Sequence, residues 1–94
     1  MRDDRFEWDD RKANANVRKH GLSFSDARTA FDDPRYHERL DDDETDEERW
    51  LLTSFVDHVL ITVCYVERGK RKRIISARRA NTNEIESYNR ANIS

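Results

Sequence analysis

The chain has 94 residues, with 18 lysines and arginines against 20 aspartates and glutamates, for a formal net charge of -2. A chain of one-domain length buries roughly 60% of the surface that its unfolded form exposes, so its core is small. The 10% aromatic content and small net charge exclude a disordered polymer, and the single Cys64 excludes an intrachain disulfide or multi-cysteine metal site. No apolar run is long enough for a signal peptide or membrane span, so a reducing, cytoplasmic setting is expected.

Phe6-Glu7-Trp8 alternates apolar and acidic residues and predicts a short first strand, after which Asp9 or Asp10 can cap a helix over residues 10 to 20. Ala13, Val17 and His20 share one side of that helix, Arg18 and Lys19 lie in its last turn, and Gly21 supplies a left-handed stop. Ser23 with Asp26 predicts a second helix start. Phe24, Ala27, Ala30 and Phe31 recur at helical steps until Asp33-Pro34 closes the segment.

From Arg35 to Arg49 the chain turns polar and acidic and predicts a solvated loop within a single domain spanning residues 1–94. Residues 32 to 49 carry a net charge of -7, whereas residues 67 to 79 carry +6. Charges more than about 8 Å apart are screened at physiological salt, so a local basic patch can hold phosphate on a mildly acidic molecule.

Trp50 to Phe55, Val59 to Val66 and Arg71 to Ala77 are three strand-like runs, joined through Asp57-His58 and a connection containing Gly69. Strict alternation in the last run puts Lys72, Ile74, Ser76 and Arg78 on one face and Arg71, Arg73, Ile75, Ala77 and Arg79 on the other. Asn81 with Glu84 predicts the capped start of a final helix carrying Ile85 and Tyr88. The order βααβββα defines an α+β domain, an antiparallel sheet with two helices before it and one after.

The stretch FEWDDRKANANVRKHGLSFSDARTAFDDP at residues 6–34 resembles the opening of BrnT toxins. The shared pattern is an F-x-W-D start, a lysine, an asparagine, K-H-G-x-x-F and an alanine-rich helix ending in D-D-P. ERW at residues 48–50, ERGKRKRIISARRA at residues 67–80, and Glu84 and Tyr88 beyond them are similar to that family's closing block. The segment TSFVDHVLITVCYV and the acidic run before it depart from the pattern. The resemblance implies a RelE-like fold and a type II toxin that cleaves RNA and halts translation. It also implies a ribbon-helix-helix antitoxin of the BrnA type, whose complex with the toxin binds its own operator DNA.

RNA cleavage of this kind uses the substrate's 2'-hydroxyl as nucleophile. The protein must take up that proton, stabilise charge on the phosphoryl oxygens and help the leaving oxygen depart. His20 can serve as base, acid or phosphate donor, since an imidazole can both give and take a proton, or as a plain helix cap. Arg78 and Arg79 end the last strand, where rigid backbone can hold a guanidinium against a phosphate. Glu67 can accept a proton or orient an arginine, and Tyr88 can stack on a base or pack on the sheet. Lys19, Lys70, Arg71 and Arg73 are candidates for tracking the RNA backbone, their alternative being solvated surface. No metal site or cofactor is expected, since His20, His37, His58 and Cys64 lack ligand spacing. A non-catalytic module that binds nucleic acid or antitoxin stays open beside the enzyme.

Overall fold

The computed structural model describes residues 1–41 and 47–92. The acidic run at residues 42–46 lies outside the described residues. Phe6–Glu7 form β1. Asp10–His20 form α1, which Asp9 caps by accepting from the amides of Arg11 and Lys12 and which Gly21 ends at φ 70°. Such a cap contributes about 1 kcal/mol, and the left-handed stop is cheap because glycine has no Cβ.

Ser23 caps the next segment by accepting from the Asp26 amide. That segment divides into one α-turn, α2 at Phe24–Ala27, and a 3-10 turn at Arg28–Asp32. Phe24, Ala27 and Ala30 are buried as their spacing requires.

Four further strands and a helix follow: β2 at His37–Leu40, β3 at Trp50–Val56, β4 at Val59–Arg68, β5 at Arg71–Arg79 and α3 at Thr82–Ala91. β3 and β4 turn through Asp57 and His58, both at positive φ, 49° and 67°, as a tight hairpin with right-handed twist demands. Asn81 and Glu84 close a reciprocal capping box at the start of α3. The described strands make one five-stranded sheet in the order β1-β5-β4-β3-β2, with β1 parallel to β5 and the other pairs antiparallel.

The α+β class stands, but the sheet is mixed rather than antiparallel, because β1 runs parallel to β5, and three further corrections follow. First, the sheet gains β2 inside the segment expected to be a loop: His37–Leu40 pairs with Thr53–Trp50. Its charges find specific partners, since Tyr65 donates to Glu38 at 2.5 Å and Arg39 donates to Glu84 at 3.2 Å. Charged residues on a short edge strand also discourage further strand addition.

Second, Val17 is 47% exposed, and Asn16 takes the buried position on α1. Third, the strict alternation of β5 fails. Cys64 pairs with Ser76 while Tyr65 pairs with Ile74, so Ile75 is an extra residue in the ladder. That bulge changes the phase: Lys72, Ile74, Ala77 and Arg79 fall on one face, and Arg73, Ser76 and Arg78 on the other. Arg73 therefore does not share a face with Arg79.

The core lies on the first face, where Phe6, Trp8, Phe24, Ala27, Ala30, Leu52, Ile61, Val63, Tyr65, Ile74 and Ala77 cluster beneath α1 and α2. Trp8 meets Phe24 edge-on at 5.8 Å, and Phe31 bridges Phe6 at 5.2 Å and Tyr65 at 5.0 Å. Each such ring pair adds about 1 kcal/mol beyond area burial. On the opposite face α3 packs through Glu84 and Tyr88 against β3 and β4.

Candidate active site

β1 accompanies β5 only at Lys72 and Arg73, so beyond them the outer edge of β5 has no strand beside it. α1 lies there instead. The Asn16 amide donates to Ala77 O at 2.8 Å and to Leu22 O at 2.9 Å, and its oxygen accepts from the Ala77 N–H at 3.1 Å. One side chain thus replaces one rung of a missing strand.

The direction of α1 follows from two fixed points. Glu7, just before it, pairs with Arg73 at 2.8 Å, and Asn16 reaches Ala77, further along β5. Helix and strand therefore advance together. His20 lies four residues past Asn16, about 6 Å at the helical rise, and Arg79 lies two residues past Ala77, about 7 Å at the strand rise. The last turn of α1 and the end of β5 both continue beyond the Asn16–Ala77 contact. Lys19 and Arg79 are exposed there and His20 is half-buried. None of the three side chains has an ion pair among the described residues.

Arg78 points to the opposite face. Its two terminal nitrogens donate to Glu84 at 2.6 and 2.9 Å, and Nη1 also donates to Arg79 O at 3.2 Å. The Glu84 carboxylate, only 2% exposed, accepts further from Arg39, from Thr62 Oγ1 at 2.9 Å and from the Asn81 amide at 2.9 Å. Burial alone would raise its pKa. The Arg78 hydrogen bonds, the Asn81 amide and Thr62 outweigh burial and bring it down to about 2. The same Glu84 hydrogen bonds raise the pKa of Arg78 against the effect of burial.

The remaining sequence candidates lie elsewhere. Glu67 pairs with Lys72 at 2.8 Å, at the level of the β4–β5 turn. It stands six residues of β4 from Ile61, the partner of Arg79, which is about 20 Å. Arg71 donates from Nε to Asp3 O at 2.6 Å beside this turn, Lys70 is exposed within it, and Arg73 is held by Glu7. Tyr88 is buried; its hydroxyl donates to Asp33 at 2.8 Å and its ring meets Phe55 edge-on at 5.4 Å. Burial, then the Asp33 carboxylate, push its pKa up to about 12.

The structure thus ties the turn that follows His20 to β5 at Ala77, two residues before Arg79. Arg78 faces the other side of the sheet, Glu67 lies at the β4–β5 turn, and Tyr88 lies on the buried side of α3. Sequence reading missed two organising residues, Asn16 and Arg39. Asn16 carried a signal: a residue of poor helix propensity three positions after Ala13, on the side expected to pack.

The chain is a small α+β domain in which Lys19, His20 and Arg79 have no ion pair among the described residues. A family model described as the ribonuclease toxin BrnT of type II toxin-antitoxin systems matches residues 8–84, and the chain belongs to that family. No curated protein matches it. Membership assigns the chain to the ribonuclease toxins and gives it RNA as target and an antitoxin as partner. No helix among the described residues is long and apolar enough to cross a membrane.

Proposed function

We propose that the protein is a cytoplasmic, metal-independent endoribonuclease of RelE-like architecture that stops translation by cutting messages. The observation that carries this reading is the Asn16 bridge between the end of α1 and β5, with Lys19, His20 and Arg79 near its two ends in the chain and without an acidic partner among the described residues, while the adjacent Arg78 is committed to Glu84. Neutral His20 takes the proton of the 2'-hydroxyl as it attacks the adjacent phosphorus. Arg79 stabilises the charge that builds on the non-bridging oxygens, and Lys19 holds the neighbouring phosphate. The P–O5' bond breaks as the P–O2' bond forms, the 5'-oxygen takes a proton from water, the proton held by His20 returns to solvent, and a 2',3'-cyclic phosphate and a 5'-hydroxyl remain.

Arg78, held by Glu84, supports this end of the sheet from behind, and Tyr88 braces α3 against Asp33 and Phe55. Lys70 and Arg71 guide the RNA strand at a distance, with Arg73 and Glu67 as part of the ion-paired surface between. Neutralisation falls to a ribbon-helix-helix antitoxin of the BrnA type that covers the basic end, and the complex binds its own operator DNA.

The test is purified protein with total RNA in the presence of a chelator, with the ends of the products mapped. Cleavage leaving cyclic phosphate ends is expected, together with growth arrest on induction that the antitoxin reverses. Salt-sensitive RNA retention without cleavage would replace this reading with that of a binding module.

A further inference from the structure

Asn16 is an unusual residue for the middle of a short helix. It is 7% exposed, and asparagine in a helix interior costs about 0.5 kcal/mol relative to alanine. Apolar packing alone would be served better by alanine or leucine, as Ala13 serves one turn earlier. What the amide adds is direction. Both of its N–H groups and its oxygen are engaged, on two segments that are 55 residues apart in the chain, Leu22 and Ala77.

We infer that Asn16 is a positioning residue for RNA cleavage: its single amide ties the backbone within two residues of His20, at Leu22, to the backbone within two residues of Arg79, at Ala77. The inference rests on the Lys19, His20 and Arg79 reading given above. His20 is bracketed by Asn16 four residues before it and by Leu22 two residues after it, and both points meet at this amide. Arg79 lies two residues past Ala77 on the same face of β5.

Contacts between apolar surfaces tolerate a small slide of a helix along a strand edge. Three directional hydrogen bonds at 2.8, 2.9 and 3.1 Å fix both height and rotation. A base and a phosphate-holding cation must keep their separation closely, because a misplacement of about 1 Å can cost around 10²-fold in rate. Blocking the free edge of β5 is a second effect of the same bonds and does not require Asn16 to reach Leu22.

The test compares folded Asn16→Ala with the parent chain by single-turnover cleavage, by RNA binding, and by amide exchange at Ala77. Cleavage is expected to fall about 30-fold or more, RNA affinity to stay within about 2-fold because no phosphate contact is removed, and protection at Ala77 to drop. In an Arg79→Ala background the same change should lower the rate less than about 3-fold further, since groups that act as a unit are not additive.

A parental rate in folded Asn16→Ala overturns the proposal, as does an equal fall in both backgrounds, which marks general loosening. If Asn16→Ala does not fold, Asn16→Ser, which keeps a short polar group, is measured in the same way. Failure of both to fold makes the amide a folding requirement and overturns the positioning role. His20→Ala and Arg79→Ala serve as controls. Parental cleavage by both of them removes the site itself and the role of Asn16 with it. Loss in both beside a parental rate in Asn16→Ala removes only the positioning role.

Discussion

Arg78 and Glu84 face each other across the turn from β5 into α3, joined by two hydrogen bonds of 2.6 and 2.9 Å. The next residue along the strand, Arg79, points to the other face and has no ion pair among the described residues. Two adjacent arginines that look interchangeable in the sequence therefore have different surroundings.

Arg78→Ala is expected to destabilise the fold by about 2–3 kcal/mol, because it strips the main partner from a buried carboxylate. Arg79→Ala should stay within about 0.5 kcal/mol of the parent yet lose about 10²-fold or more in cleavage. Urea unfolding and single-turnover cleavage on the same preparations separate the two effects. The reverse pattern would assign the phosphate to Arg78.

Stability should depend on pH through Glu84. Its pKa falls from an ordinary 4.5 to about 2 in the folded protein, the Arg78 and Asn81 bonds overcoming burial. A depressed folded pKa contributes stability that is complete above the unfolded value and is lost as pH falls towards the folded one. The unfolding midpoint of the parent should therefore decline between about pH 4.5 and 2. Glu84→Gln should start lower at pH 7 and show a shallower decline over that window. Parallel curves for the two proteins would count against this role.

Tyr88→Phe removes the hydrogen bond to Asp33 while keeping the ring against Phe55. It is expected to cost about 1 kcal/mol and to leave cleavage within about 3-fold. Thermal unfolding and cleavage check this together. A loss of 10²-fold at parental stability would bring the phenol into the chemistry.

RNA binding should have a modest salt dependence. Of the seven bases between residues 67 and 79, Arg68 pairs with Glu47, Lys72 with Glu67, Arg73 with Glu7 and Arg78 with Glu84. Lys19, Lys70, Arg71 and Arg79 then remain for phosphate, and at about -0.7 per phosphate on a single strand the logarithmic salt slope is about -3. All eight cations acting together would give about -6. Titration at several salt concentrations distinguishes these values.

Local chemistry was legible in the sequence wherever cause and effect lie within a few residues. The Asp9 cap, the Gly21 stop, the Asp57-His58 turn and the Asn81 and Glu84 capping box each occur at the expected place. Alternating and helical apolar patterns also identified Phe24, Ala27 and Ala30 as core. The family blocks then set the functional class, which matches the family that residues 8–84 belong to.

Tertiary structure decided everything that depends on which distant segment lies alongside. Charge along the chain suggested a free +6 patch, but Glu7 and Glu47 come from other segments to neutralise parts of it. Glu38 and Arg39 looked like loop residues until Tyr65 and Glu84 supplied their partners. The extra residue Ile75 reversed the facing of the last strand, which no alternation rule reveals without the register of β4 beside it. Asn16 could be read only as an oddly placed polar residue, because its partner Ala77 is 61 positions away. Caps and turns arise from bonds that close within a few residues and so leave a mark in local sequence. Ion pairs, register and edge contacts arise from chain segments meeting in space, and only the folded arrangement brings their two halves together.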